Sequence, residues 1–171
     1  MKNRYNLIAS IGLIIGAVFG IAGGMLTDAH MQACAYEISS IGLIYASAML
    51  CILYLRQSQD VLAAGWLLMC IGEAAMSTGT GGGQPFSQPM FAAGMGIYLP
   101  ALLMISIPAV YPLWSRISGL IAAGLFTITA GLIYSGTEVL STHTLPTMAY
   151  TLLTIGMIGY IMTLLKKDSS K

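Results

Sequence analysis

The sequence predicts an all-α integral membrane protein with six transmembrane helices. Of its 171 residues, 57% are hydrophobic and only 8% are charged, whereas about a quarter of the residues in a soluble domain carry a charge. Six apolar runs are long enough to cross a bilayer, which takes about 20 helical residues each. Because these runs and their short connections nearly exhaust the chain, we expect a single six-helix domain over residues 1–171.

The six predicted spans follow one another with short connections. The first follows Lys2 and Arg4, and its apolar length exceeds the roughly 7 to 15 residues of a signal peptide, so we expect a retained helix. The third begins after Asp60, a residue type that often caps helices. The predicted spans are residues 6–26, 35–55, 61–78, 90–114, 117–134 and 146–165.

The fourth span differs from the others because it contains Pro100, Pro108 and Pro112. Each proline removes a backbone donor and bends or breaks a helix. Irregular backbone at membrane depth is tolerated only where protein or a water-filled cavity satisfies the freed carbonyl groups. We therefore expect the fourth span to be kinked and to border a solute path.

The basic residues predict the orientation of the chain. With six spans both termini lie on one side, and all seven Lys and Arg residues fall on that side, while the three opposite connections contain none. Positive residues accumulate on the cytoplasmic side, so we expect both termini to be cytoplasmic, in a cell inner membrane. The opposite face is mildly acidic, which favours cations near it.

A short internal similarity suggests a duplication. The sequence IGLIYAS at residues 41–47 of the second span resembles SGLIAAG at residues 118–124 of the fifth. Because these two spans run in opposite directions, the similarity fits a three-plus-three inverted repeat. The residues concerned are abundant throughout the chain, so a chance match is the alternative.

One acidic residue, Glu73, lies well inside an apolar run. Ionisable groups at membrane depth are costly and commonly functional, and a buried carboxylate takes a proton or a cation as its partner. We expect Glu73 to bind a ligand or a proton together with Ser77, one turn away on the same helix face, and Tyr98 of the fourth span. The alternative is structural, with Glu73 hydrogen-bonded across helices to Tyr98 or Thr127.

Glycines form two further patterns. In the first span they recur every fourth residue, which gives one helix face that another helix can approach closely. This glycine zipper consists of Gly12, Gly16, Gly20 and Gly24. After the third span, the sequence TGTGGGQPFSQP lacks the lysine of a phosphate-binding loop. We expect a re-entrant or lid-like gating loop there, with a plain linker as the alternative; its central residues are Gly81, Gly82, Gly83 and Pro85.

A metal site is a further hypothesis. His30 and Cys34 are four residues apart, and Glu37 and His143 belong to the same side of the membrane. Imidazole and thiolate ligands, with nearby methionines, suit copper better than magnesium. The alternative is that these histidines are solvated loop residues. No cofactor motif is present, and no CxxC pair indicates zinc or redox chemistry.

These observations favour a small membrane protein that binds or passes a small solute or ion, coupled to protons or cations, near Glu73 in the outer half of the bundle. One alternative is a non-catalytic subunit that packs through its glycine face against a membrane partner or a second copy. Another is a small membrane enzyme or redox module that uses the outer His, Cys and Glu residues. The bilayer is a partner in each case, and nucleic acid is not, because the basic residues are scattered.

Overall fold

The computed structural model describes residues 2–81 and 87–169. These residues form six helices joined by short connections, with no strand among them. Each helix contains a segment long and apolar enough to cross a membrane, which confirms the predicted six spans. The helices are α1 (Lys2–Met25), α2 (Ala29–Leu55), α3 (Asp60–Gly81), α4 (Gln88–Ser106), α5 (Leu113–Tyr134) and α6 (Thr144–Ser169).

The helices form a closed ring. Each packs against the helices before and after it in the chain, and α6 packs against α1. The Asn6 side chain donates to the Leu164 carbonyl, so the chain termini lie at one end of the ring, the terminal end. The α1–α2 and α5–α6 connections, the end of α3 and the start of α4 lie at the opposite, distal end. Whether the terminal end is cytoplasmic, and whether the two halves are an inverted repeat, stay predictions.

The outer surface of the ring is apolar, as a lipid-facing surface requires. Large aliphatic side chains are exposed on every helix. In a soluble protein such a surface would be a liability, whereas in a bilayer it meets hydrocarbon. Examples, one from each helix, are Ile14, Ile41, Leu67, Leu103, Ile121 and Ile155.

The boundary between the fourth and fifth helices differs from the sequence prediction. The fourth span was predicted to reach residue 114, but α4 ends at Ser106 and α5 already begins at Leu113. Pro108 and Pro112 explain the break, because each lacks an N–H donor and disfavours helical backbone at the residue before it. Arg116, in the first turn of α5, donates to the Ser106 and Ile107 carbonyls and so satisfies the end of α4.

Two further boundaries differ. The second helix begins at Ala29, six residues before the predicted 35, because the Asp28 side chain accepts from the Met31 N–H at 2.8 Å and caps the helix start. His30 is therefore helical and not a loop residue. The third helix continues to Gly81, beyond the predicted 78, so part of the glycine-rich stretch is helical.

The glycines of α1 differ in the space that α2 leaves beside them. An ideal Cβ atom on Gly12 would lie 2.8 Å from the carbonyl oxygen of Gly42, too close for any side chain. The corresponding shortest distance is 2.5 Å at Gly16, 3.1 Å at Gly20 and 3.9 Å at Gly24. Along the face formed by these four glycines, space is least at Gly12 and Gly16 and increases toward the distal end, whereas an ideal Cβ atom on Gly23, beside this face, would lie 2.7 Å from the Tyr36 ring.

Four large aromatic side chains fill the interior of the terminal half. This aromatic cluster consists of Tyr54, Trp66, Tyr111 and Tyr160, all buried. The hydroxyl groups of Tyr54 and Tyr111 lie 2.6 Å apart, and the Tyr160 ring lies 5.5 Å from Trp66 and 4.4 Å from Tyr111, centroid to centroid. Tyr111 belongs to the α4–α5 connection, and burial raises the pKa of its hydroxyl well above the usual value.

Candidate functional site

A cavity of about 390 Å³ lies inside the distal half of the ring. It is bounded by the C-terminal half of α1, by α2, α3 and α4, by the N-terminal half of α6 and by the α5–α6 connection. Its polar lining consists of side-chain hydroxyl groups and the carboxyl group of Glu73. The hydroxyls include those of Ser39, Ser40, Ser141, Thr147, Thr151 and Thr154.

Glu73 lies at the inner wall of this cavity and is only 2% exposed. The Ser40 hydroxyl donates to its Oε2 atom at 3.1 Å, and the Tyr98 hydroxyl donates to its Oε1 atom. The bond between Tyr98 and Glu73 is the cross-helix contact of the structural alternative, and a role of the two residues in binding a ligand or a proton stays a prediction. Function and structural contact are compatible here, because each carboxylate oxygen has a second acceptor position.

Close approach of α3 and α4 explains why Tyr98 reaches Glu73. An ideal Cβ atom on Gly94 would lie 2.6 Å from the Gly72 carbonyl oxygen, and one on Gly72 would lie 3.0 Å from the Tyr98 ring. Only glycine at both positions lets the two backbones come this close. The pair of glycines therefore sets the distance between Glu73 and its phenol donor.

Ser77, predicted to share a ligand site with Glu73, has a hydrogen-bond partner on α2, and its role toward a ligand stays a prediction. Its hydroxyl donates to the Oε2 atom of Glu37 on α2 at 2.6 Å. Because α2 and α3 are antiparallel neighbours, the two contacts are reciprocal: Ser77 of α3 with Glu37 of α2, and Ser40 of α2 with Glu73 of α3. The half-buried Glu37 lies on the distal side of Glu73, so carboxyl and hydroxyl oxygens continue from Glu73 toward the distal end.

An aromatic wall supports the inner part of the site. The Tyr98 ring contacts the edge of Phe126 with centroids 4.8 Å apart, and Phe126 contacts Tyr150 at 5.0 Å. The Tyr150 hydroxyl donates to the sulfur of Met76 at 3.2 Å. These contacts join α3, α4, α5 and α6 around the cavity and hold the Tyr98 hydroxyl toward Glu73.

The four residues of the predicted metal site are dispersed. The sulfur of Cys34 and the Nε2 atom of His30 lie 3.8 Å apart, whereas Glu37 contacts Ser77 and the Nδ1 atom of His143 accepts from the Leu140 N–H. Within residues 2–81 and 87–169, no three His, Cys, Asp or Glu side chains form a group that could hold a metal ion. The structure brings together only the His30–Cys34 pair.

The predicted gating loop falls largely outside the described residues. Gly81 is the last residue of α3, while Gly82, Gly83 and Pro85 lie outside the ranges that the structure describes. The glycine face of α1 borders the cavity as well as α2, since Gly16, Gly20 and Gly24 also line the cavity. Small residues on this face leave the room that the cavity occupies.

Sequence reasoning missed three residues that build the site: Ser40, Gly72 and Gly94. Each is a small residue inside an apolar span, and the chain contains many such residues. A signal existed only for Gly72, which directly precedes the conspicuous Glu73. The pairing of Ser40 with Glu73 follows from the register of α2 against α3, which periodicity does not reveal.

No protein-family model, curated protein or solved structure matches this chain. The chemistry of the site must therefore be argued from its own residues. Of the described residues that line the cavity, none is Lys, Arg or His. A carboxyl group without a basic partner can bind a proton or a cation, and it repels anions.

Proposed function

We propose that the protein binds a small solute or cation in the distal cavity, with Glu73 as its polar anchor. The observation that supports this most directly is a carboxyl group, 2% exposed, on the wall of a cavity of about 390 Å³. Pockets for small molecules are commonly apolar, with a few converging polar groups. Glu73, Ser40 and the nearby Tyr98 hydroxyl supply such groups.

A transport or coupling role is the finer part of the proposal. Glu73 can hold a proton when the cavity is empty and exchange it for a cation when a solute binds. Glu37 and Ser77 supply oxygen atoms between Glu73 and the distal end, where the sequence predicts an acidic outward face. The hydroxyl groups that line the cavity would offer hydrogen bonds to a solute on its way from the distal end to Glu73.

Cysteine accessibility tests the proposal in purified protein. Ser40→Cys and Ser47→Cys are introduced singly into a background in which Cys34, Cys51 and Cys70 are serine. Both are the same change on α2, but Ser40 lines the cavity while Ser47 is 0% exposed. We expect a membrane-impermeant methanethiosulfonate to label Ser40→Cys about tenfold faster or more, because thiol reactivity requires access. Equal rates in two folded variants would contradict a solvent-filled cavity.

A second candidate function, a subunit of a membrane complex, has separate support. An apolar groove crosses the outside of α1 and α2, with Gly12 and Gly42 at its base and exposed Ile11, Ile41 and Tyr45 beside it. The same surface suits lipid tails, so the cavity is the stronger basis for a function. Co-purification of two differently tagged copies, lost in Ile41→Trp, would favour the subunit.

A further inference from the structure

We infer that the cavity selects a compact lipophilic amine, a protonated nitrogen carrying N–H donors on an apolar body. This inference rests on the proposed function, because it names the class of solute that the same cavity binds. Four properties of the cavity support it: its charge, its hydrogen-bonding groups, its apolar walls and the position of its opening.

The charge of the cavity lining excludes anionic solutes and favours cationic ones. Glu73 is the single ionisable carboxyl among the described residues that line the cavity, and no basic side chain accompanies it. A carboxylate or phosphate solute would place two like charges in a low-dielectric space, which is strongly unfavourable. An ammonium group would supply the opposite charge that the buried Glu73 carboxylate lacks.

The hydrogen-bonding groups match an ammonium donor. Ser40 and Tyr98 each donate to one oxygen of Glu73, which leaves acceptor capacity on both oxygens. Around them the polar lining consists of hydroxyls, whose oxygens accept additional N–H bonds. An ammonium carries three donors and no acceptor, so it complements a site made of one carboxyl and several hydroxyl oxygens.

The remaining walls are apolar and limit the size of the solute. Leu43, Phe91, Leu153 and Met157 line the cavity around the polar groups. A volume of about 390 Å³ is near the lower end of the range for drug-sized ligands, roughly 300 to 1,000 Å³. Phe91 and Tyr150, whose residue types can bind a cation through the ring, also line the cavity. A compact apolar body with one amine fits these walls.

The cavity reaches the surface of the ring in its distal half. Near the terminal end, α1 and α6 are joined by the Asn6–Leu164 hydrogen bond, whereas their distal halves both line the cavity. Ile21 and Met25 of α1 line the cavity and are 53% and 79% exposed. A solute that enters at the distal end therefore passes apolar side chains of α1, which favours a lipophilic solute over a strongly hydrated one.

The test uses three probes that share one carbon skeleton: phenylbutylamine, phenylbutanol and phenylbutanoate. Isothermal titration calorimetry on the full-length protein in lipid nanodiscs at neutral pH measures each affinity; at this pH the amine is protonated, as its pKa is about 10. We expect the amine to bind about tenfold tighter than the alcohol, because a hydrogen bond to a charged group is stronger. The carboxylate should show no binding.

Glu73→Gln and Glu138→Gln provide the matched variants. Glu138 is an exposed residue that does not line the cavity, so its substitution controls for the loss of one negative charge. We expect Glu73→Gln to reduce the preference for the amine over the alcohol to about twofold or less, and Glu138→Gln to retain it. If Glu73→Gln fails to fold, a protection experiment takes the place of this comparison. We then expect phenylbutylamine, and not phenylbutanoate, to slow the labelling of Ser40→Cys by the thiol reagent.

The outcomes separate this inference from the proposed function. Absence of amine binding, equal affinity for amine and alcohol, or a preference that survives Glu73→Gln would overturn the amine class. In each of these cases rapid labelling of Ser40→Cys would still support a solute cavity. Slow labelling of Ser40→Cys, equal to that of Ser47→Cys, would overturn the proposed function itself.

Discussion

The two halves of the ring use the same six helices and differ in what fills the interior. On α3, Trp66 belongs to the aromatic cluster of the terminal half and Glu73, about two helical turns away, belongs to the cavity. On α6, Tyr160 contacts Trp66, whereas Tyr150 lines the cavity. One continuous helix thus contributes to a packed core at one level and to a cavity wall at the next.

Side-chain size accounts for the difference. In the terminal half, interior positions carry large side chains such as Leu13, Leu50 and Trp66, all 0% exposed. In the distal half, α1 and α2 present Gly20 and Ser40 to the interior. A ring of six helices encloses space that bulky residues fill and small residues leave open. The closed terminal half and the open distal half together give a cavity that is accessible from one end.

Trp66→Ala should have the largest effect on stability. Trp66 is fully buried against Tyr111 and Tyr160, and truncating a buried tryptophan costs about 3 kcal/mol or more because a void remains. Trp114→Ala is the matched control, since Trp114 is 45% exposed. Reversible unfolding in mixed micelles measures both. If Trp66→Ala cost no more than Trp114→Ala, the terminal half would not be a packed core.

Gly94→Ala should have the next largest effect. Its Cβ atom would lie 2.3 Å from Met76 Cγ and 2.6 Å from the Gly72 carbonyl oxygen, so α3 and α4 must separate, at a cost of about 1 to 3 kcal/mol. Gly96→Ala is the control on the same helix, because its Cβ would meet nothing within 4 Å. We expect Gly96→Ala to be neutral or slightly stabilising. Equal unfolding free energies would show that this glycine contact does not set the helix spacing.

The same Gly94→Ala variant tests whether the packing of α3 against α4 affects binding at Glu73. Separation of α3 and α4 would move Tyr98 away from Glu73, so the variant should also weaken binding of phenylbutylamine, while Gly96→Ala should not. The stability measurement and the titration can be made on the same protein sample. Unchanged amine affinity in a destabilised Gly94→Ala would mean that Tyr98 contributes nothing to the anchor.

The coarse fold could be predicted from the sequence because bilayer thickness imposes a length on every apolar helix. Glu73 could be found for the same reason, since a charge inside an apolar run is conspicuous. The end of α4 was missed because the residues around Pro108 and Pro112 are as apolar as a span. Hydropathy does not distinguish an apolar helix from an apolar connection, whereas the missing backbone donors do.

The detail of the site could not be predicted because it depends on the register between helices. Spacing along α3 placed Ser77 on the same helix face as Glu73, but it could not show that the register of α2 brings Glu37 beside Ser77 and Ser40 beside Glu73. The cavity itself arises from small residues on α1 and α2 whose effect depends on which helices face them. Helix periodicity identifies residues on one face, and only tertiary packing identifies their partners.

Side-specific labelling of Ser40→Cys tests the contrast between the two halves most directly. The variant, without its native cysteines, is placed in sealed vesicles. Protease access to a tag at the C terminus then shows on which side of the vesicle membrane the terminal end lies. A membrane-impermeant thiol reagent is then added to one side or the other. We expect labelling from the side of the distal end, because the aromatic cluster closes the terminal half. Equal labelling from both sides, or labelling only from the side of the termini, would contradict a cavity that opens at the distal end.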